Sequence, residues 1–403
     1  MPVRRTRILF VDHVSKVLGG AEVNLLELLG TDAAASRWDS HVACAAGSPL
    51  DSALRPLAVI RHDHQFAPAL NELRIVGRGL HLGAKLRGWR EVRRASARLR
   101  ELIEAIRPDA VISCTNKDHF AAGAAASAAG IPSIWWVNDI LSSDFFPWPV
   151  RAVFSLRARR LARRLAPVSN CGRRALIQIG VPADRCVTIH NGIPLQRYRR
   201  TPGSDAASGL ESGAREPVFG IAGRITPWKG QMLFLEIAAA WVRQQRPGIF
   251  VILGRAFNED APYQQALKDF IQAHQLGNRV KFLEFQSDMA SALSGMDVLL
   301  HCSTRPEPFG RVLIEAMAVG IPVIAARAGG VPEIITDGVD GLLAAPGNLP
   351  SYLGALERMT ADPALRTQLV REGHNTVIQR FGVDRVVGDF AALLDSVIPR
   401  KDS

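Results

Sequence analysis

Apolar residues in this chain come in short bursts, each followed by turn residues and then by a longer stretch with helical spacing. The first burst, Arg7-Ile8-Leu9-Phe10-Val11, reads as a strand. Gly19-Gly20 follows as a turn, and Ala21 to Leu29 reads as a helix whose apolar face is Leu25, Leu26, Leu28 and Leu29. Further strands are expected at Ala110-Val111-Ile112-Ser113, Ser133-Ile134-Trp135-Trp136-Val137 and Val187-Thr188-Ile189, with helices over Glu91 to Ile106 and Phe120 to Ala129 between them. The second half repeats the rhythm. Its strands are expected at Val218 to Ala222, Phe250 to Leu253, Val280 to Leu283, Asp297 to Leu300 and Pro322 to Ala325. Apolar strands alternating with helices, twice over, predict an α/β protein of two doubly wound, Rossmann-like parallel sheets.

The same pattern gives the expected domain bounds. Residues 1–195 form the first domain and 217–380 the second, with 196–216 as a flexible insertion rich in small polar residues such as Thr201-Pro202-Gly203-Ser204. The segment 381–403 carries a final helix, roughly Asp384 to Ile398, with an apolar face that can dock on either domain, including back onto the first.

Length agrees with this division, because 403 residues exceed one ordinary core. Hydrophobic content of 47% with 22% charged residues suits a soluble globular enzyme. The run nearest to a membrane span, Ala121 to Val137, is broken by Gly130 and Pro132. Arg4 and Arg5 precede an apolar run that ends at Asp12 and His13, too short for an export signal, so a cytoplasmic location is expected. Five scattered cysteines without paired spacing argue against a disulfide or zinc framework.

The net charge of +11 is concentrated. Gly77 to Pro108 holds nine Lys or Arg against three Glu, and Arg151 to Arg174 holds eight Arg and no acid. Arg157-Ala158-Arg159-Arg160-Leu161-Ala162-Arg163-Arg164-Leu165 has helical spacing and suits either an anionic membrane surface or a solvated basic helix. No aromatic platform accompanies the charge, so nucleic acid is not an expected partner.

Candidate chemistry gathers after the strands of the second half. Gly223-Arg224-Ile225-Thr226-Pro227-Trp228-Lys229-Gly230 follows a buried strand and opens a helix near Gln231. A guanidinium and an ammonium beside a helix N-terminus suit a diphosphate. Further on, Glu307-Pro308-Phe309-Gly310 leads into a helix that carries Glu315. Two carboxylates in that frame suit a ligand with both hydroxyls and phosphate. No Asp-x-Asp pair occurs, so a carboxylate-held metal at the phosphates is not expected, and Arg224 and Lys229 would neutralise the diphosphate. His62-Asp63-His64 lacks a third ligand and reads as surface polar residues.

Taken in order, Gly19-Gly20-Ala21-Glu22, His190-Asn191-Gly192-Ile193, Gly223-Arg224 with Lys229-Gly230, the Glu307/Glu315 pair and Gly329-Gly330-Val331-Pro332-Glu333 resemble the GT-B-fold, family-4 retaining glycosyltransferases. The resemblance implies two domains facing a central cleft. It also implies a nucleotide-diphosphate-sugar donor and no further cofactor or metal. Arg224 and Lys229 would hold the diphosphate, and Glu315 the ribose. Glu307 would stand near the sugar, with backbone contacts from Phe309 and Gly310. The base would lie by Phe282 to Phe285, with Phe285 itself a contact. Gly20, Asn191 and Gly223 would complete the donor site. The family often carries a His where this chain has Asn138, so Asn138 and Asp139 become the catalytic candidates of the first domain; Asp139 or His119 could stand in for that His, although His119 reads first as an ordinary helix residue. The implied acceptor is a glycan or lipid-linked intermediate of cell-surface polysaccharide synthesis, made at the inner membrane face. The alternatives are a small soluble acceptor, or a catalytically silent nucleotide-sugar-binding protein.

Overall fold

A computed structural model describes residues 4–14, 18–66, 82–198, 216–284, 286 and 288–399. The chain forms two compact units, one from residues 1–192 with 383–403 and the other from 193–382. The polar insertion expected at 196–216 falls mostly outside the described residues.

The first unit is built on a six-stranded parallel sheet. Its strands are β1 (Thr6–Val11), β2 (Trp38–Cys44), β3 (Ile60–Asp63), β4 (Ala110–Ser113), β5 (Ser133–Val137) and β6 (Arg164–Pro167), in the order β3-β2-β1-β4-β5-β6. Phe10 of β1 pairs with Val42 on one side and Ile112 on the other. Residues of β4 and β5 are buried throughout, as strands covered on both faces must be. Helices Leu82–Ile106 and Asn116–Ala128 lay Leu99, Ile103, Ala122 and Ala126 over one face, against Leu9 and Val111. Trp135, Phe154, Leu165 and Leu176 form a second cluster near the β6 edge. The C-terminal helix Val383–Asp395 belongs to this unit and seats Phe390 edge-on against Trp136, with ring centroids 4.8 Å apart.

The second unit repeats the design. Its strands are β7 (Val218–Ala222), β8 (Ile249–Leu253), β9 (Val280–Leu283), β10 (Val298–His301), β11 (Val323–Ala326) and β12 (Leu342–Ala344), in the order β12-β11-β10-β7-β8-β9 and all parallel. Helix Gln231–Arg243 presents Leu233, Phe234, Ile237 and Trp241 to Phe219 and Phe250.

Two expectations need correction. The basic stretch 157–165 is not one helix: the helix Trp148–Leu161 ends at Ala162, and Arg164 begins β6. Residues 187–189 form no strand. Val187 and Ile189 donate to the carbonyls of Leu165 and Pro167, but with only an isolated bridge at Leu165–Cys186 the segment stays irregular.

In each sheet the chain reverses direction of winding between its first and fourth strands, β1/β4 and β7/β10. Open parallel sheets bind ligands outside the carboxyl ends of their strands at such a point. Both switch points carry polar side chains here.

Candidate active site

In the second unit the site begins where β7 ends. Gly223 turns the chain at φ +142°, and Arg224 emerges half-buried. Its guanidinium donates to Asp260 at 2.6 and 3.0 Å and to Glu259 at 2.8 Å, and lies 4.3 Å over the Phe257 ring. Thr226 fixes the other Asp260 oxygen at 3.0 Å. Arg224 is thus oriented by two carboxylates, partners that its place in the sequence did not disclose.

A short turn, Pro227–Lys229, then leads to Gly230 at φ +77° and into helix Gln231–Arg243. A Cβ on Gly230 would stand 1.9 Å from the Cys302 carbonyl oxygen, so only glycine lets this loop cross the end of β10. The crossing carries Lys229 to Glu307. Lys229 Nζ donates to both carboxylate oxygens, at 2.9 and 2.8 Å. Glu307 Oε2 also accepts from Ser303 Oγ at 3.0 Å and lies 3.2 Å from His301 Nε2, and Ser303 and His301 are 3.1 Å apart. Burial of Glu307 favours the neutral acid, but the Lys229 charge and the His301 contact outweigh it and hold the carboxyl well below its ordinary range. Glu307 is therefore an ionised, immobilised carboxylate. Its backbone is clamped as well: Gly330 N donates to its carbonyl at 2.8 Å, and a Cβ on Gly329 (φ +66°) would collide with that oxygen at 2.1 Å.

Gly310, at φ +104°, caps helix Arg311–Ala318 without a side-chain cap, and Phe309 buries its ring against Phe381. Glu315 is buried on that helix and accepts from Arg311 Nε at 2.6 Å. Phe285 lies outside the described residues.

In the first unit Gly20 opens helix Gly20–Leu29, with open space where a Cβ would be. Glu22 accepts from Gly19 N at 2.6 Å, closing that turn. Asn138 is tied down, its amide donating to the Cys114 and Trp136 carbonyls at 3.2 Å each. Asp139 accepts from Asn116 at 2.7 Å. Asn191 is buried, with no partner for its Oδ1 among the described residues. His119 is no substitute for the missing His: it is buried, stacked on Trp135 at 5.0 Å and bonded to Ser113 at 2.7 Å, and burial depresses its pKa to about 3.

The His62/His64 reading also changes. His62 stacks on His41, whereas His64 is buried 3.1 Å from Asp118 Oδ1. Among the described residues no group of three His, Cys, Asp or Glu is placed to hold a metal ion. Sequence reasoning missed His301, Ser303 and Asp260. The signal for the first two was position, since His301 ends an apolar strand that could have been all aliphatic.

Comparison with known proteins agrees with this architecture. Residues 18–197 match the model of glycosyltransferase family 4, and residues 208–376 that of glycosyl transferases group 1. The lipopolysaccharide core biosynthesis glycosyltransferase LpsE of Rhizobium meliloti is 30% identical over 46% of this chain and 52% of its own length. The D-inositol 3-phosphate glycosyltransferase of Saccharomonospora viridis is 32% identical over 64% of this chain and 61% of its own. The chain thus spans between half and two thirds of the length of these curated relatives. Among solved structures, Anabaena HepE in complex with UDP-glucose superposes with a TM-score of 0.83 at 26% identity, covering 97% of this chain and all of that one. With its two halves matched by these two models, and its two six-stranded parallel sheets matching GT-B neighbours, the chain belongs to the group 1 glycosyltransferases.

Proposed function

We propose that this protein transfers a sugar from a nucleotide-diphosphate donor to a glycan or lipid-linked acceptor in cell-surface polysaccharide synthesis, with retention of anomeric configuration and without a metal. The observation that carries the reading is the Lys229–Glu307 pair at the β7/β10 switch point, with His301 and Ser303 behind it. In this reading Lys229, held by Glu307, meets phosphate oxygens, and Arg224, held by Asp260, is a second cation at the carboxyl end of the same sheet. Fixed positive charge at the leaving diphosphate stabilises the transition state, in which charge develops there. It takes the place a metal ion fills where paired aspartates are present.

Glu307, ionised and clamped, accepts hydrogen bonds from sugar hydroxyls and offsets positive charge developing at the anomeric carbon. Glu315, lying on the helix after Gly310, is the ribose acceptor. The HepE structures contain UDP and UDP-glucose, and LpsE acts in lipopolysaccharide core biosynthesis, which favours a uridine donor and a surface-glycan acceptor. Peripheral membrane contact is supported by helix Trp148–Leu161, which exposes Trp148, Val153 and Leu156 beside Arg159 and Arg160. No helix among the described residues is long and apolar enough to cross a membrane.

The test is the proton NMR spectrum of the product formed from an α-linked donor, together with nucleotide release by Glu307→Ala and Lys229→Ala. An α-linked product and release lowered on the order of 10²-fold or more in both variants are expected. A β-linked product removes retention. Variants as fast as wild type remove the site.

A further inference from the structure

The loops that follow β7 and β8 lie side by side at the carboxyl end of the second sheet. Gly223 N donates to the Leu253 carbonyl and Ile225 N to that of Arg255, each at 3.0 Å. This pairing brings Arg224 to the turn Phe257–Asp260, which Asp260 N closes on the Phe257 carbonyl at 2.8 Å. Helix Ala261–Ala273 starts directly after that turn. Both acids of the turn, Glu259 and Asp260, reach the Arg224 guanidinium, so one cation faces two carboxylates. One more acid than base repels an anionic ligand unless one of the acids can move aside.

The two acids differ in how firmly they are held. The Asp260 side chain is 11% exposed, and each of its oxygens has a donor: Thr226 Oγ1 at Oδ1, and Arg224 Nε and Nη2 together at Oδ2. Glu259 is 47% exposed and meets the guanidinium at Nη2 alone. A guanidinium is a planar fork of five N–H groups. Asp260 takes its side, the Nε and Nη2 hydrogens that point the same way, and Phe257 covers one face at 4.3 Å. The end of the fork, Nη1 with the remaining Nη2 hydrogen, is the other place where two parallel N–H groups can grip two oxygens of one phosphate. Nη1 makes no hydrogen bond among the described residues, whereas Glu259 sits on the Nη2 half.

We propose that Glu259 competes with the donor's diphosphate for the end of the Arg224 fork, while Asp260 is the positioning residue that keeps the fork aimed; the inference rests on the transfer reading above, in which Arg224 meets the diphosphate. A phosphate takes Nη1 and Nη2 as a pair by displacing Glu259 toward solvent, where much of that side chain already lies. Asp260 stays in place. Its departure would leave the buried Thr226 hydroxyl and two guanidinium N–H groups without their acceptor, which costs more than exchanging an exposed contact. Glu259 therefore weakens donor binding and Asp260 strengthens it, although the two are like charges beside the same cation.

The experiment titrates UDP into the full chain by calorimetry, with uridine as a second probe that lacks phosphate. UDP comes first because the HepE structures contain it; ADP, GDP and dTDP follow if it does not bind. Glu259→Gln should tighten UDP binding about two- to fivefold, the range of an exposed ion pair, and the gain should shrink as salt is raised. Asp260→Asn should weaken UDP binding on the order of tenfold or more. Thr226→Val, which removes the anchor on Oδ1, should weaken it in the same direction by less. Uridine affinity should be the same in wild type and all three variants, whereas a general loosening of the fold would move both probes. Glu259→Gln that binds UDP no better than wild type overturns the inference and leaves the transfer reading standing. Asp260→Asn that binds UDP as tightly as wild type or more so does the same, as does a change in uridine affinity equal to that for UDP. Glu259 is exposed, so its arm of the test stands even where Asp260→Asn does not fold. Wild-type protein that binds none of the four nucleoside diphosphates overturns the transfer reading and the inference together.

Discussion

Replacing Lys229 with Met removes the charge facing Glu307 and keeps most of the aliphatic stem. Removing one partner of a buried ion pair costs about 3–5 kcal/mol, because the other charge is left uncompensated. Two features place this site at or below the lower bound. The Lys229 side chain is 23% exposed, and Ser303 and His301 remain beside Oε2. The expected loss is therefore about 2–3 kcal/mol at neutral pH. Its pH dependence has a definite sign. Glu307 is held below its ordinary value of 4.5 in the folded wild type, so its contribution is present above that value and is lost as pH falls further. In the variant the burial that raises the carboxyl is no longer opposed by Lys229. The folded state then binds a proton more readily than the unfolded chain, and the variant gains ground on wild type as pH falls. Scanning calorimetry of both proteins between about pH 7 and about pH 4.5 reads this directly. At about 2–4 °C per kcal/mol for a domain of this size, the transition of the second unit should drop by roughly 5–10 °C near neutrality, with a smaller gap in acid. A deficit under about 0.5 kcal/mol, or one that widens as pH falls, refutes the account of Glu307 as a buried anion held by Lys229.

Three further substitutions probe the same framework. Gly329→Ala forces a Cβ to within 2.1 Å of the Glu307 carbonyl at φ +66° and should cost about 2–4 kcal/mol in a denaturant titration, with weakened donor binding. Glu315→Ala should erase discrimination between UDP and 2′-deoxy-UDP, which wild type should favour by about tenfold for the ribose hydroxyls in a calorimetric titration; equal discrimination would remove Glu315 from the ribose. Changing the exposed Arg159, Arg160 and Arg163 together to Gln should cut co-sedimentation with anionic vesicles tenfold or more, at about 1 kcal/mol per cation near the surface. Unchanged sedimentation would withdraw the membrane contact.

The alternation of apolar bursts with helical spacing was enough to read the two parallel sheets, because strands such as β4, β5 and β10 are covered on both faces and are apolar at all but one end position. Strands β2, β3, β6 and β12 escaped that reading. Trp38-Asp39-Ser40-His41 and Ile60-Arg61-His62-Asp63 carry polar residues, and β3 is an edge strand with one hydrogen-bonded neighbour. The run Val187 to Ile189 misled in the opposite direction, since short apolar segments do not state their own pairing.

Lys229 and Glu307 were each legible from their place after a strand, but 78 residues separate them and only the fold brings them together. The same holds for His13 and Asp118, 105 residues apart, and for Asp118 and His64, 54 apart. Local motifs record what a loop offers a ligand. They do not record which distant side chain holds a carboxylate ionised.

The most direct measurement of the central claim is nucleotide release by the wild-type protein across UDP-, GDP-, ADP- and dTDP-sugars, with and without a membrane lipid extract. The account predicts release from one nucleotide class, increased by the extract and lost in Lys229→Ala. Nucleotide binding with no release from any donor, under either condition, would contradict it.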